Sequence, residues 1–373
     1  MCEPSLGLNT MICEAMANAN LIGSKEKHKK NVEDVSSLMS SLRGCAKRKD
    51  LYNGEKLHEE IVKKGLLEKE ACIGSSLMHM YAKCGELTKA QEVFDILRVR
   101  DVICWTTLIG GYAQYGYNKE ALKLYEKMCC HGPAPDGYTF VCILKVCGSI
   151  KSAEKGREIH ADIVERGFSG KDMFVSNALV DMYSKCGALN KAVDVFDELR
   201  VRDVVSWTSL IGGYTQYGHG QKGIECFTRM QQEGLHPNSI TLICILKSCG
   251  SIREAKKGQQ IHSVIIKVED LNKHFLIGNA LLDMYAKCGL LEEAQDLFDE
   301  LPARDIVSWN ALISGYVQYG KGVKALSHLE WMICEGFSPD SVTFVCILKA
   351  CGTVHCLKTG QFIHEKILKE GLL

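Results

Sequence analysis

The sequence predicts an all-α fold, a right-handed superhelical solenoid of stacked helix-turn-helix hairpins, on three observations. The first is a strict repeat: Trp105, Trp207 and Trp309 are each 102 residues apart, in DVICWTTLIGGYAQYG, DVVSWTSLIGGYTQYG and DIVSWNALISGYVQYG. The second is that everything between them keeps step. Lys-Cys-Gly ends at Gly85, Gly187 and Gly289, and an Ile/Leu-His pair ends at His58, His160, His262 and His364. A fixed period held without insertion is the mark of a repeat architecture. The third is helical spacing of apolar residues within each repeat, with no strand-like alternation.

Taken in order, residues 1–33 read as an irregular segment or a decayed repeat, and 34–373 as the repeat array of about ten motifs. Three hairpin types alternate. The first covers 34–68, 136–171, 238–273 and 340–373. In its second copy Phe140, Ile143, Leu144 and Cys147 share one helix face, Gly148 is expected to break the chain, and Ile159, Ile163 and Val164 mark a second helix. The second type covers 70–100, 172–202 and 274–304, with Leu179, Met182 and Tyr183 on one face, Gly187 at the turn, and Ala192, Val195, Phe196 and Leu199 on the other.

The third type carries the Trp motif, at 101–135, 203–237 and 305–339. Trp105, Leu108, Ile109 and Tyr112 give its first stripe and Ala121, Leu122, Tyr125 and Met128 its second. Gly116 between them suits a C-cap, where a residue without Cβ takes positive φ at low cost. Pro135, Pro237 and Pro339 close these units. No hairpin of this length can bury two apolar sides alone, so neighbours must stack, leaving one concave and one convex wall.

Composition narrows the class further. The chain has 373 residues, of which 46% are hydrophobic, enough for a continuous core. No apolar run approaches the ~18 residues of a membrane span, so no membrane partner is expected. Lys and Arg total 45 against 45 Asp and Glu, so the chain as a whole carries no basic signal for nucleic acid. The 19 cysteines include no C-x-x-C and fall at repeat-fixed helical places such as Cys84, Cys186 and Cys288, or Cys147, Cys249 and Cys351. They read as small buried hydrophobes in a reducing compartment. Residues 1–33, with Glu3, Glu14 and a Lys-rich end, do not resemble a transit peptide.

The motifs VSWTSLIGGYTQYG, TFVCILKVCGSIKSAEKGREIHADIVERG and NALVDMYSKCGALNKAVDVFDEL resemble the pentatricopeptide repeat (PPR) family, in its P-L-S subclass of plant organelles. The resemblance runs from about residue 34 to the end, in the order L-S-P-L-S-P-L-S-P-L. Tetratricopeptide repeats are the competing type, and their W-x₂-L-G-x₂-Y signature is absent because the Trp lies in another frame. No stretch resembles the E motifs or the DYW deaminase-like domain that follow the repeats in many such proteins.

This resemblance implies sequence-specific binding of single-stranded RNA, one base per repeat. It further implies site recognition for C-to-U editing or RNA processing in a mitochondrion or chloroplast, with a catalytic partner in trans or on a further domain. By the family's pattern, base selection falls to the fifth residue of a motif and its last residue. In the S units these are Ser75 with Asp101, Asn177 with Asp203, and Asn279 with Asp305. In the P units they are Thr106 with Asp136, Thr208 with Asn238, and Asn310 with Asp340. An amide offers both donor and acceptor to a pyrimidine edge, while a hydroxyl suits a purine. The L units carry Met39, Val141, Ile243 and Val345 at the fifth position, and these cannot hydrogen-bond a base.

The implied target is 5′-N-G-G-N-U-A-N-U-U-N-3′. Base clamps are expected at Ile103, Phe174, Val205, Leu276 and Val307, and phosphate contacts at Lys83, Lys185 and Lys287. Lysines on one wall are compatible with zero net charge, and three contacts give a salt slope of about −2 for single strands.

Plainer readings stand beside these. Asp, Asn, Ser and Thr are good helix caps, yet capping alone does not ask for Asn, Thr and Ser to alternate while Trp, Gly and Tyr stay fixed. One histidine per 102 residues suits packing better than metal binding, and His58-Glu59-Glu60 has no C-x-x-C to complete a deaminase site. The Trp residues read as core. No nucleophile, metal set or phosphate loop is visible, so neither catalytic residue, cofactor nor small-molecule substrate is expected. The alternative function is a protein-interaction solenoid whose concave wall binds a peptide or helix.

Overall fold

The computed structural model describes residues 35–67, 71–268 and 275–369; the expected irregular segment 1–33 lies outside them. Among the described residues there are twenty helices and no strand. The L hairpins are α1 (35–48) with α2 (Leu51–Lys63), α7 (Gly137–Ser149) with α8 (Ala153–Glu165), α13 (Ser239–Ile252) with α14 (Ala255–Val268), and α19 (Ser341–Val354) with α20 (Leu357–Lys369). The S hairpins are α3 (Ala71–Cys84) with α4 (Leu87–Ile96), α9 (Met173–Lys185) with α10 (Leu189–Asp197), and α15 (Phe275–Cys288) with α16 (Leu291–Glu300). The P hairpins are α5 (Val102–Gln114) with α6 (Asn118–His131), α11 (Val204–Gln216) with α12 (Gly220–Gln232), and α17 (Ile306–Gln318) with α18 (Gly322–Cys334).

The chain comprises two compact units, Met1–Ile150 with Ala161–Phe168 and Lys151–His160 with Ser169–Leu373. In the first, α3 packs on α5 and α5 on α7; in the second, α9, α11, α13, α15, α17 and α19 pack in succession. First helices therefore form one layer in each unit. Second helices close against it, as α4 does on α3 and α5, and α12 on α11 and α13.

The Trp residues are core, as expected: Trp207 and Trp309 are fully buried and Trp105 nearly so. Each meets the Phe of the preceding S hairpin edge-on, with ring centroids 4.8 Å apart for Phe94–Trp105 and 4.6 Å for both Phe196–Trp207 and Phe298–Trp309. Such pairs add about 0.5–1.5 kcal/mol to the area they bury.

Two other motif residues are tied together across hairpins. Gly187 has φ +76°, and a Cβ there would lie 2.8 Å from the Tyr217 ring. The Tyr217 hydroxyl donates to the Lys185 carbonyl at 2.7 Å, satisfying an orphan carbonyl at the end of α9. Lys-Cys-Gly and Gln-Tyr-Gly thus keep step because each forms half of one contact.

Three of the four repeat histidines pack, each onto a tyrosine of the following S hairpin rather than within its own L unit, whereas His364 is exposed. His58, His160 and His262 place Nδ1 2.8, 3.0 and 2.7 Å from the hydroxyls of Tyr81, Tyr183 and Tyr285. Burial lowers all three imidazole pKa values and pushes the Tyr81 hydroxyl up to about 12. A neutral imidazole therefore accepts from a protonated phenol.

Two expectations need correction. Gly148 does not break the chain; it is buried inside α7, and the turn is made three residues later, where Lys151 takes φ +53°. Lys49, Arg253 and His355 do the same in the other L hairpins. The matching Gly250 serves close packing, since a Cβ there would lie 3.3 Å from Met284 Cα on the neighbouring helix. The cysteines are not uniformly buried either. Cys104, Cys147 and Cys249 are core, but Cys72, Cys129, Cys130 and Cys334 are exposed.

Candidate nucleic-acid interface

All the candidate base-selecting residues lie at the starts of first helices, because the last residue of one hairpin caps the next. Asp101, Asp136, Asp203, Asn238, Asp305 and Asp340 each accept from the backbone N–H three residues on, at 2.8–2.9 Å. Such caps contribute about 0.5–2 kcal/mol each. The capping explanation is therefore correct, and it does not exhaust these side chains.

In two S units the cap also holds the fifth residue. Asn177 Nδ2 donates to both carboxylate oxygens of Asp203 at 3.1 Å, and Asn279 Nδ2 donates to those of Asp305 at 3.2 and 3.3 Å. A carboxylate accepts only, so it fixes which end of the amide faces it. Asn177 Oδ1 and Asn279 Oδ1 are then left buried and without a hydrogen-bond partner among the described residues. An acceptor in that state costs about 1–3 kcal/mol unless a donor arrives.

The P units are wired differently, through the Thr three residues after the cap. Thr106 Oγ1 lies 2.7 Å from Thr139 Oγ1, which donates to Asp136 Oδ1 at 2.7 Å. Thr139 has one hydrogen and the carboxylate takes it, so Thr106 must donate to Thr139 and presents lone pairs to anything else. Thr208 contacts the Val204 carbonyl and Thr241 Oγ1, both at 2.6 Å, while Thr241 donates to Asn238 Oδ1 at 3.0 Å. Its hydrogen too is consumed internally. Asn310 combines both patterns: Nδ2 donates to Asp340 at 2.9 Å, and the one Thr343 hydroxyl hydrogen is shared between Asn310 Oδ1 at 2.6 Å and Asp340 Oδ1 at 2.9 Å. Burial opposes ionisation of Asp340, but hydrogen bonds from the Thr343 backbone, the Asn310 amide and the Thr343 hydroxyl outweigh it and hold its pKa below the usual range.

One expected pair is not joined. Ser75 donates to the Cys72 carbonyl of its own helix at 3.0 Å, and Asp101 only caps α5.

The expected clamps Ile103, Phe174, Val205, Leu276 and Val307 are all exposed apolar side chains, and Tyr138, Ile240 and Val342 continue the series in the L units. Exposure runs from 52% at Val342 to 71% at Phe174, at one register in eight successive hairpins. The three L-unit members were legible from the period, since each lies three residues before an apolar fifth residue. In the second unit Leu276, Val307 and Val342 form apolar walls of a cavity of about 530 Å³ that also contains Asn279, Asp305 and Asn310.

The expected phosphate contacts are mixed. Lys185 and Lys287 form ion pairs of 2.7 Å with Asp181 and Asp283, one turn earlier on the same helices. Lys83, with His79 at that earlier place, donates instead to Gln114 Oε1 at 3.2 Å.

Fold and site together define a helical-repeat protein whose first helices carry polar side chains beside a series of exposed apolar ones. Comparison with known proteins gives the family. The chain matches the PPR repeat family over residues 100–149, 202–251 and 304–353, and the PPR repeat over 75–102, 174–204 and 279–306. It belongs to the pentatricopeptide repeat family.

It is 37% identical over 318 residues to a chloroplastic pentatricopeptide repeat-containing protein of Arabidopsis thaliana, covering 85% of this chain and 51% of the relative. A second Arabidopsis thaliana member is 40% identical over 83% of this chain and 42% of its own length, and a mitochondrial one 33% identical over 96% and 34%. The chain spans about half the length, or less, of these curated relatives. Among solved structures, the pentatricopeptide repeat protein PPR10 in complex with an 18-nt psaJ RNA element has the same fold. It aligns with TM-score 0.69 and 18% identity over 83% of this chain and 46% of that one.

Proposed function

We propose that the chain is a sequence-specific reader of single-stranded RNA, one base per hairpin, of the P-L-S type. The observation that carries this is the pair of buried, unpartnered acceptors Asn177 Oδ1 and Asn279 Oδ1, each oriented by a carboxylate. Uracil brings the missing donor, N3–H. Thr106 beside Asp136 presents two acceptors, which suits the N1–H and N2–H₂ donors of guanine. Thr208 presents an acceptor while Asn238, whose Oδ1 is taken by Thr241, presents its amide donors, which suits N6–H₂ and N1 of adenine.

By family membership the RNA is an organellar transcript, in a mitochondrion or chloroplast, and the chain marks a site for editing or processing by a catalytic partner. The solved PPR10 complex contains an 18-nt psaJ RNA element, which supports RNA as the ligand class.

The test is binding of the purified chain to a fluorescent RNA containing G-G-N-U-A-N-U-U and to a scrambled RNA. The expected preference is at least about tenfold, or ~1.4 kcal/mol. Equal, weak binding of both would leave the protein-scaffold alternative.

A further inference from the structure

We propose that the L hairpins are phosphate anchors, in which Lys145, Lys247 and Lys349 hold the RNA backbone once every three nucleotides. The proposal rests on the RNA-reading function above and gives a role to hairpins whose fifth residues, Val141, Ile243 and Val345, have no group to offer a base edge.

Each of these lysines lies four residues after the apolar fifth position, hence on the same helix face one turn along. All three are exposed, and none forms an ion pair with a described residue. In the first unit Lys145 lines a cavity of about 540 Å³ together with Thr106, Tyr138 and Lys83. In the second, Lys247 lines the cavity that holds Asn279 and Asp305. Both cations therefore share a cavity with base-selecting residues.

The charge is specific to this hairpin type. At the same register the S units have His79, Asp181 and Asp283, and the P units Gly110, Gly212 and Ser314. Arg43, four residues after Met39, extends the rule to the first L hairpin. In the second unit the two S-unit lysines are already neutralised by Asp181 and Asp283, so a phosphate would have to displace a carboxylate to reach them. Lys247 and Lys349 need no such exchange. A flexible ammonium suits this task, because it binds a phosphate as a point charge and carries no sequence information.

The experiment compares the full chain with a Lys145→Gln/Lys247→Gln/Lys349→Gln variant and a control of equal net charge on second helices, Lys127→Gln/Lys256→Gln/Lys324→Gln. Dissociation constants for the G-G-N-U-A-N-U-U RNA and its scramble are measured across a salt series. Loss of three phosphate contacts should flatten the log–log salt slope by about 2, at ~0.7 per contact for single strands. The target-to-scramble ratio should stay that of the parent, and the control should keep the parent slope. An anchor variant that keeps the parent slope, or flattens no more than the control, overturns the proposal. A parent chain that fails to discriminate the two RNAs defeats the base-reading function, while the slope difference still decides the anchors. A parent that binds neither RNA defeats both.

Discussion

The two units share the wiring of their Thr-bearing P hairpins and differ in that of their S hairpins. In the first, the fifth residues of the S and P hairpins are hydroxyls: Ser75, turned back on its own helix, and Thr106, linked to its cap only through Thr139. In the second, Asn177 and Asn279 reach their caps directly and keep an open acceptor. The cause lies in the next hairpin as much as in the fifth residue. Helices that open an L hairpin place Thr139, Thr241 or Thr343 three residues after the cap, and these buried hydroxyls bridge to the preceding P unit. Helices that open the second and third P hairpins place Ser206 and Ser308 there, and these turn back onto the Asp203 and Asp305 backbone in capping boxes. In these S units one residue both caps its helix and holds the preceding fifth side chain, so the same few atoms set both.

The largest expected effect separates those two roles. Asp203→Ala should remove both the α11 cap and the hold on Asn177, costing about 1–2 kcal/mol in chemical denaturation and abolishing uracil preference at the fifth base. Asp203→Asn should keep most of the stability, because Asn also caps well, while changing the base preference. Next in size, Thr139→Val should leave Asp136 and Thr106 without their bridge. Denaturation should show a loss of about 1–3 kcal/mol, and guanine preference at the third base should fall, with Thr139→Ser restoring both.

A smaller effect sharpens the contrast within the second unit. Discrimination of U over C should be weaker at Asn310, whose acceptor is occupied by Thr343, than at Asn177 or Asn279. Thr343→Val should raise it by freeing Asn310 Oδ1, measured with single-base RNA variants at the ninth position.

The smallest is a pH effect. His58, His160 and His262 have pKa values lowered by burial, so the unfolded chain binds protons first on acidification. Stability should be level above about pH 7 and fall as pH drops through the ordinary histidine range. His160→Gln with His262→Gln should flatten that fall in thermal denaturation. Asp340, with its pKa depressed, should add stability above the carboxylate range and lose it only in stronger acid.

The hairpins and the caps were legible in the sequence because a period of 102 residues superimposes every helix start on two others. What escaped was local geometry. Gly148 looked like a stop, yet it sits in the helix interior, while a lysine makes the left-handed turn. Glycine's freedom is visible in a sequence; a strained non-glycine residue is not. The Lys185–Asp181 and Lys287–Asp283 pairs were readable from their spacing of four, whereas the Thr343–Asn310 bond depends on side-chain rotamers that no spacing reveals.

The central claim is that a fifth residue and its cap choose one base. It is tested most directly by four RNAs differing only at the fifth base of the ten-base site, titrated against the parent chain and Asn177→Thr. The account predicts U as the parent's preference and a shift towards G in the variant, each by about tenfold, in keeping with ~1–3 kcal/mol for a good base contact. The same order of affinities for both proteins would contradict it.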